Sequence, residues 1–551
     1  MTGFSDSAQE MSLVAFIAVA TVTLLLCVMT GPDRDDLDEF YTGYRSLSPL
    51  RNGLAIAGDY ISAATVLGTI GVISLTGYDG VVLALSTALS LVLLMFLLAE
   101  PLRNAGRFTM GDAFARRAPS RAVRITASAV TLAALLPMMV VQLAGAAHLL
   151  SFILGFGSSG FRTGCIIVLG VLMISYAAIG GMKGTALIQI IKTVFLLGTG
   201  VILAVLILSR FDWSTAQLLG AAKTGSGAGD AFLQSGLQFG GNELDMISSE
   251  LTVVLGAACL PHITMRMYSS RSALAVRRSM SWAVSAVVVF CLLITVIGFG
   301  AAALVGHGTI TASDPQGDTS ILLVSQALLG GDASTLETLV FTSVTTAIFL
   351  TLLASVAGMI LACANSLAHD LFAHGIRKAP AGDATEMALA RAAAIGVGIP
   401  AIVLAVLARH WNVQPLVTLS FCIGASALAP ALVFSLFWRR FTRTGLMCTL
   451  IGGTLCVMIL MTGTNLVSGS PQSVFPAEDF NWYPFTTTGL VSIPFGFFMG
   501  WLGTALSHRG SGERQRRQYE AVEAWILAGA GAGAGAGPGD GGPVHNHRPP
   551  A

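Results

Sequence analysis

NGLAIAGDYISAATVLGTIGVIS (52–74) is long and apolar enough to cross a bilayer, yet one half of it carries Gly58, Asp59 and Ser62. A second stretch, LTVVLGAACLPHITMRM (251–267), has Gly256 and Pro261 in its interior. Proline removes a helical donor and clashes with the preceding turn, so the helix must bend or open at Pro261. Broken backbone at membrane depth is tolerated only where it is buried in protein or lines a cavity. Both stretches therefore read as interrupted membrane spans placed to build a site.

The rest of the chain is of the same kind. Of 551 residues, 54% are hydrophobic and 11% charged, with a mean hydropathy of +0.76. A soluble domain keeps about a quarter of its residues charged. Runs able to cross about 30 Å of hydrocarbon occur near 11–30, 52–76, 81–100, 125–154, 163–181, 185–208, 246–265, 280–305, 336–367, 392–408, 414–437, 445–463 and 487–506. The expected fold is an all-α polytopic membrane protein of 13 transmembrane helices.

Net charge is only +1, but its placement is uneven. Of 30 lysines and arginines, 25 lie in the gaps after odd-numbered spans or in the C-terminal tail. Arg162, Arg210, Lys223 and Arg409 lie on the other side, and Lys192 lies within span 6. Basic loops stay in the cytoplasm. The expected location is thus the cell membrane, with the N-terminus outside and the C-terminus inside. The first apolar run lacks a basic leader and reads as a retained span. All eight cysteines fall within spans, which argues against a disulfide framework. The tail from Arg514, with AGAGAGAG near 529–537, is expected to be disordered.

Spans 2 and 7 are five apart, an odd offset, so they enter from opposite sides. Matched interrupted helices in inverted repeats are the arrangement of a secondary transporter. The expected division is 1–51 (outer N-terminus, accessory span 1 and first inner loop), 52–245 (first repeat, spans 2–6, and outer loop) and 246–444 (second repeat, spans 7–11). Accessory spans 12–13 (445–508) and a disordered cytoplasmic tail (509–551) complete it.

FYTGYRSLSPLRNGLAIAGDYISAATVLG (40–68), GYDG (77–80), GGMKGTALIQ (180–189), LPHITMR (260–266) and LAPALVFSLFWRRFTRTG (428–445) resemble the sodium/solute symporter family. AEPLRNAGRFT (99–109), the QIIK of span 6 and PHITMRMYSSRSALAVRRS (261–279) are most similar to its acetate and short-chain monocarboxylate permeases. The resemblance implies a five-helix inverted-repeat core and import of acetate, propionate, pyruvate or lactate by alternating access. Na+ or H+ would be the coupling ion, with no organic cofactor.

By that resemblance, sodium would bind the carbonyls of Gly58, Ile61, Thr351 and Ala354 and the hydroxyl of Ser355. Several oxygens without a buried negative charge suit a hard cation. Many members carry two adjacent hydroxyl residues where this chain has Ala354–Ser355. One oxygen is missing, so either sodium binds weakly or a proton couples. Ser355 could instead bond back to its own helix. Gln189 stands where some relatives have a cation-binding aspartate, and Lys192 follows, so a second cation site is not expected.

Charge at membrane depth marks function by default. Asp59 either tunes the cation field or carries a proton. Lys192 either replaces a second cation, attracts the substrate carboxylate, pairs with Asp59, or snorkels toward the cytoplasm. The substrate lining is expected at Tyr60, Ser62, Ala63 and Thr65, facing Val253, Ala257 and Pro261, with Gln142 as a further candidate. Half-helix N-termini would supply donors to a carboxylate. Relatives that carry amino acids have larger aromatic residues at the first two span-7 positions. His262 and Arg266 read as anchors of the following loop, and His369–Asp370 as structural.

No HExxH, GxSxG, P-loop or metal-spaced cysteine cluster points to an enzyme. Other readings left open are a cation-coupled importer of proline or another small nutrient, and a membrane sensor with a transporter-like core. Expected partners are the small monocarboxylate and the lipid bilayer, with no nucleic acid and with room for a small accessory membrane protein.

Overall fold

A computed structural model of the chain describes residues 6–32, 36–156, 158–329, 335–376, 382–410, 414–470, 473–507, 519–520, 523–524 and 526. Among these residues the protein is helical throughout its spans and has no strand. Eleven helices are long and apolar enough to cross a membrane, or twelve when Pro49–Tyr60 and Ala64–Thr76 count as one span. The sequence reading has thirteen. The difference lies in Ser159–Arg210, a single 52-residue helical run through spans 5 and 6. Straight, it would reach about 78 Å, well beyond one crossing. Gly181, at φ 51° and ψ −152°, breaks it between the two, a conformation that glycine alone adopts without strain.

The two interrupted spans open where their residues dictate. Ser48 caps the first half of span 2, Pro49–Tyr60, by accepting from the Arg51 amide, and Pro49 starts it. After Ile61 the chain turns by 67° into Ala64–Thr76, whose first turn is π-helical. π-turns inside helices mark local strain and often function. Span 7 divides into Glu243–Ala258 and Pro261–Tyr268. Leu260 is extended there (φ −64°, ψ 133°), because a residue before proline is pushed out of the helical region. Pro261 thus begins the second half-helix rather than kinking a continuous one.

The long span 9, within Thr338–Ile376, is wholly covered by other helices, whereas Gln9–Thr30 is mostly uncovered. Span 1 packs against Ser159–Arg210 and Thr335–Asn365, and Arg443–Thr462 packs against Gly489–Ser507. Among the described residues span 9 is the most enclosed of the candidate crossings. Phe96, Val168, Leu292 and Leu506 are exposed on the outer surface, as a lipid-facing wall requires.

On the arginine-rich face a polar knot ties four elements together. Arg124 Nη1 donates to Asp112 Oδ1 and Asp370 Oδ1, both at 2.9 Å. His369 lies 3.0 Å from Asp112 Oδ1 and 2.7 Å from Glu386 Oε1. Asp112, His369 and Asp370 are close enough to share a metal, but Arg124 and His369 already occupy the carboxylate oxygens with hydrogen bonds. Burial opposes ionisation of Asp112, yet His369 and Arg124 hold its carboxyl below the usual carboxylate range. The expected disordered tail lies mostly outside the described residues. The few described there dock on this face. Tyr519 lies under the Arg117 guanidinium at 4.6 Å, Glu523 pairs with Arg439 at 2.8 Å, and Ile526 is buried.

Candidate functional site

The breaks in spans 2 and 7 face a cavity of about 440 Å³. Of the residues expected to bind substrate, Tyr60, Ser62, Thr65, Val253 and Ala257 line it. Ala63, Pro261 and Gln142 do not. Pro261 instead faces a small void beside Met265 and Asn365. Gln142 lies behind the lining, where its Oε1 accepts from the Ala63 amide at 3.3 Å. Its buried Nε2 has no partner among the described residues. Tyr60 donates its hydroxyl to the Thr87 carbonyl at 2.6 Å, while Ser62 and Thr65 share a hydrogen bond of 3.2 Å.

The cavity reaches one face only. Gln238, Gln316, Asn465, Ser470 and Thr487 continue its lining into the loops poor in basic residues. None of its described lining comes from the arginine-rich face. Beneath its floor of Asp59, Leu260 and His262 lies a layer of buried charge.

That layer differs from the sequence expectation in three places. Arg266 does not anchor a loop. It is wholly buried, and its Nε donates to Asp59 Oδ2 within an ion pair. The sequence misses this partner because spans 2 and 7 meet only after folding. The regular LPHITMR motif, which carries an arginine into a span, is the signal that could have found it. Lys192 does not snorkel. It too is wholly buried, and its Nζ donates to the Gly58 carbonyl at 2.6 Å and to Ser355 Oγ at 3.0 Å. Among the described residues Asp59 pairs with Arg266 and not with Lys192. Gln189 Nε2 donates to Asp59 Oδ1 at 2.6 Å and to the Ala354 carbonyl at 2.9 Å. Gln189 and Lys192 thus reach into the expected sodium site instead of standing at a separate second one.

Ser355 is turned toward Lys192, whereas Thr351 bonds back to the Ala347 carbonyl at 2.7 Å. Gly58 is required where it stands. A Cβ there would lie 2.6 Å from the Gln189 carbonyl and 2.8 Å from Thr193 Oγ1. His262 lines the cavity floor and feels the charges of Asp59, Arg266 and Lys192.

The sodium:solute symporter pattern matches residues 40–453. The chain belongs to the sodium:solute symporter family. It is 35% identical over 508 residues to a monocarboxylic acid transporter of Corynebacterium glutamicum, covering 90% of this chain and 91% of that one. It is 36% identical over 493 residues to the uncharacterized symporter YwcA of Bacillus subtilis, covering 89% and 93%. Its fold is similar to that of a Na+-coupled sialic acid symporter solved substrate-bound and outward-open, with TM-score 0.69 and 13% identity over 90% of this chain and 98% of that one. A nucleobase-cation-symport-1 family transporter in a closed conformation gives TM-score 0.52, also at 13% identity, over 90% and 95%. The protein is a multi-pass, cation-coupled symporter of a small solute, not an enzyme.

Asp318 stands in the cavity mouth, in the loop after span 8. Burial, and then the Asp314 carboxylate, push its carboxyl up to about 7. Because the folded value lies above the ordinary aspartate value, Asp318 contributes stability in acid that is lost as pH rises through about 7. The melting temperature of the wild type, relative to Asp318→Asn, is therefore expected to fall between pH 5 and 7 and to level off above. A difference that is flat across that range would show that Asp318 titrates as a solvated carboxyl.

Proposed function

We propose that this symporter imports a short-chain monocarboxylate, such as acetate, propionate, pyruvate or lactate, coupled to Na+ or H+ by alternating access. The observation that carries the reading is the cavity at the two helix breaks. It is open toward the basic-poor face and closed toward the arginine-rich one. By the lysine and arginine distribution, the open face is the exterior and both the knot around Asp112 and the C-terminus are cytoplasmic.

The substrate class rests on the C. glutamicum relative and on the chemistry of the pocket. Val253 and Ala257 keep its wall small, and the Ser62 and Thr65 hydroxyls offer donors beside an opened helix. A carboxylate needs few, well-placed donors more than volume. The unpartnered Gln142 Nε2, one hydrogen bond behind Ala63, is a further donor within reach of a small shift in the opened segment.

The deciding experiment is uptake of labelled acetate, pyruvate and proline into vesicles under imposed sodium or proton gradients. Acetate and pyruvate are expected to accumulate and proline is not. Accumulation of proline, with the two carboxylates excluded, would overturn the substrate class while leaving the symport fold intact.

A further inference from the structure

Three of the five oxygens that would bind sodium are already engaged. The site that the family resemblance implies comprises the carbonyls of Gly58, Ile61, Thr351 and Ala354 and the Ser355 hydroxyl. Lys192 Nζ takes Gly58 and Ser355, and Gln189 Nε2 takes Ala354. These oxygens come from spans 2 and 9, one in each inverted repeat, so the lysine bridges the two repeats where a sodium ion would. A hard cation needs several such oxygens at coordination distance. An ammonium hydrogen-bonded to two of them leaves no room for it.

The charge balance leads to the same conclusion. The buried layer holds one carboxylate, Asp59, which is paired with Arg266. Lys192 adds a second cation within the same wholly buried cluster. Sodium would be a third positive charge facing one negative, in a medium where unpaired charge is costly. The carboxylate of an incoming solute, in the cavity that Asp59 and His262 floor, is the partner that this surplus favours.

We propose that the Lys192 ammonium is the built-in cation of this site in place of sodium, so that sodium neither binds the protein nor is needed for uptake. Only the uptake arm rests on the monocarboxylate reading above, and it leaves the proton gradient as the drive that reading already includes.

The test begins with the purified full chain, melted in sodium chloride and in choline chloride at equal ionic strength. Wild type is expected to melt at the same temperature in both. Lys192→Ala leaves Asp59 paired with Arg266 and frees the Gly58 and Ser355 oxygens. It is expected to gain a sodium-specific rise in melting temperature that saturates with concentration, as binding to the native state requires. The double variant Lys192→Ala/Ser355→Ala is expected to lose that rise. Labelled acetate uptake by wild-type vesicles is expected to be the same in sodium and choline media under a proton gradient.

A saturable sodium-specific rise in wild-type melting temperature would overturn the proposal, as would wild-type uptake that vanishes without sodium. Should Lys192→Ala fail to fold, the two wild-type measurements still decide. If no carboxylate is taken up under any gradient, the substrate reading fails while the melting comparison stands on its own.

Discussion

Arg266→Ala is expected to destabilise the protein by about 3–5 kcal/mol, the cost of leaving one member of a buried ion pair without its partner. Asp59 and Arg266 are both wholly buried and directly paired. Truncating the arginine strands the Asp59 carboxylate between the cavity and the arginine-rich face, with the Gln189 amide as the one remaining side-chain donor among the described residues. Against a total stability of about 5–15 kcal/mol, that loss is a large share of the margin that keeps the protein folded. Fluorescence-monitored size exclusion after a temperature ramp reads it directly. The double variant Asp59→Asn/Arg266→Gln removes both members of the pair together and is expected to recover much of the loss, because no stranded Asp59 carboxylate remains. Equal melting of wild type and Arg266→Ala would mean that the pair contributes nothing and that Arg266 is a loop anchor after all.

Gly58→Ala is expected to cost about 1–3 kcal/mol through overpacking and, because that strain falls on the site itself, to lower transport by a corresponding factor of about 5–150. The added methyl would lie 2.6 Å from the Gln189 carbonyl and 2.8 Å from Gln189 Cβ. Backbone cannot yield there without moving span 6. Such a shift breaks the 2.6 Å bond from Lys192 Nζ to the Gly58 carbonyl and the 3.0 Å bond from Thr193 Oγ1 to Leu54. Gly145→Ala is the control, because nothing lies within 4 Å of a Cβ placed at Gly145 in helix Arg121–Leu154. If the two substitutions reduce uptake equally, the close approach at Gly58 is not what matters.

Much of the architecture is legible in the chain because membrane physics leaves few choices. Apolar length reports spans, and Gly58 and Pro261 report the two breaks, since neither a missing donor nor an absent side chain can be hidden in hydrocarbon. The break at Leu260 follows from its position before proline. In the sequence Gly181 is legible only as the end of span 5. Its role as the turn within a continuous helical run needed backbone angles. Five of the eight expected substrate residues line the cavity because they sit beside the breaks, and local sequence locates the breaks.

The charged layer is different. The sequence shows Asp59, Gln189, Lys192, Arg266 and Ser355 as isolated polar residues in four spans, and their spacing carries no pairing information. The fold decides that Asp59 takes Arg266 instead of Lys192, and that Lys192 takes the oxygens of the expected sodium site. The reason is energetic. Within low-dielectric packing a charge must find its partner among whatever the helices bring alongside, and those neighbours are set by helix rotation and crossing over more than a hundred residues of separation. Periodicity and composition determined which helices cross the membrane and where they break; only tertiary contact determined which charge answers which.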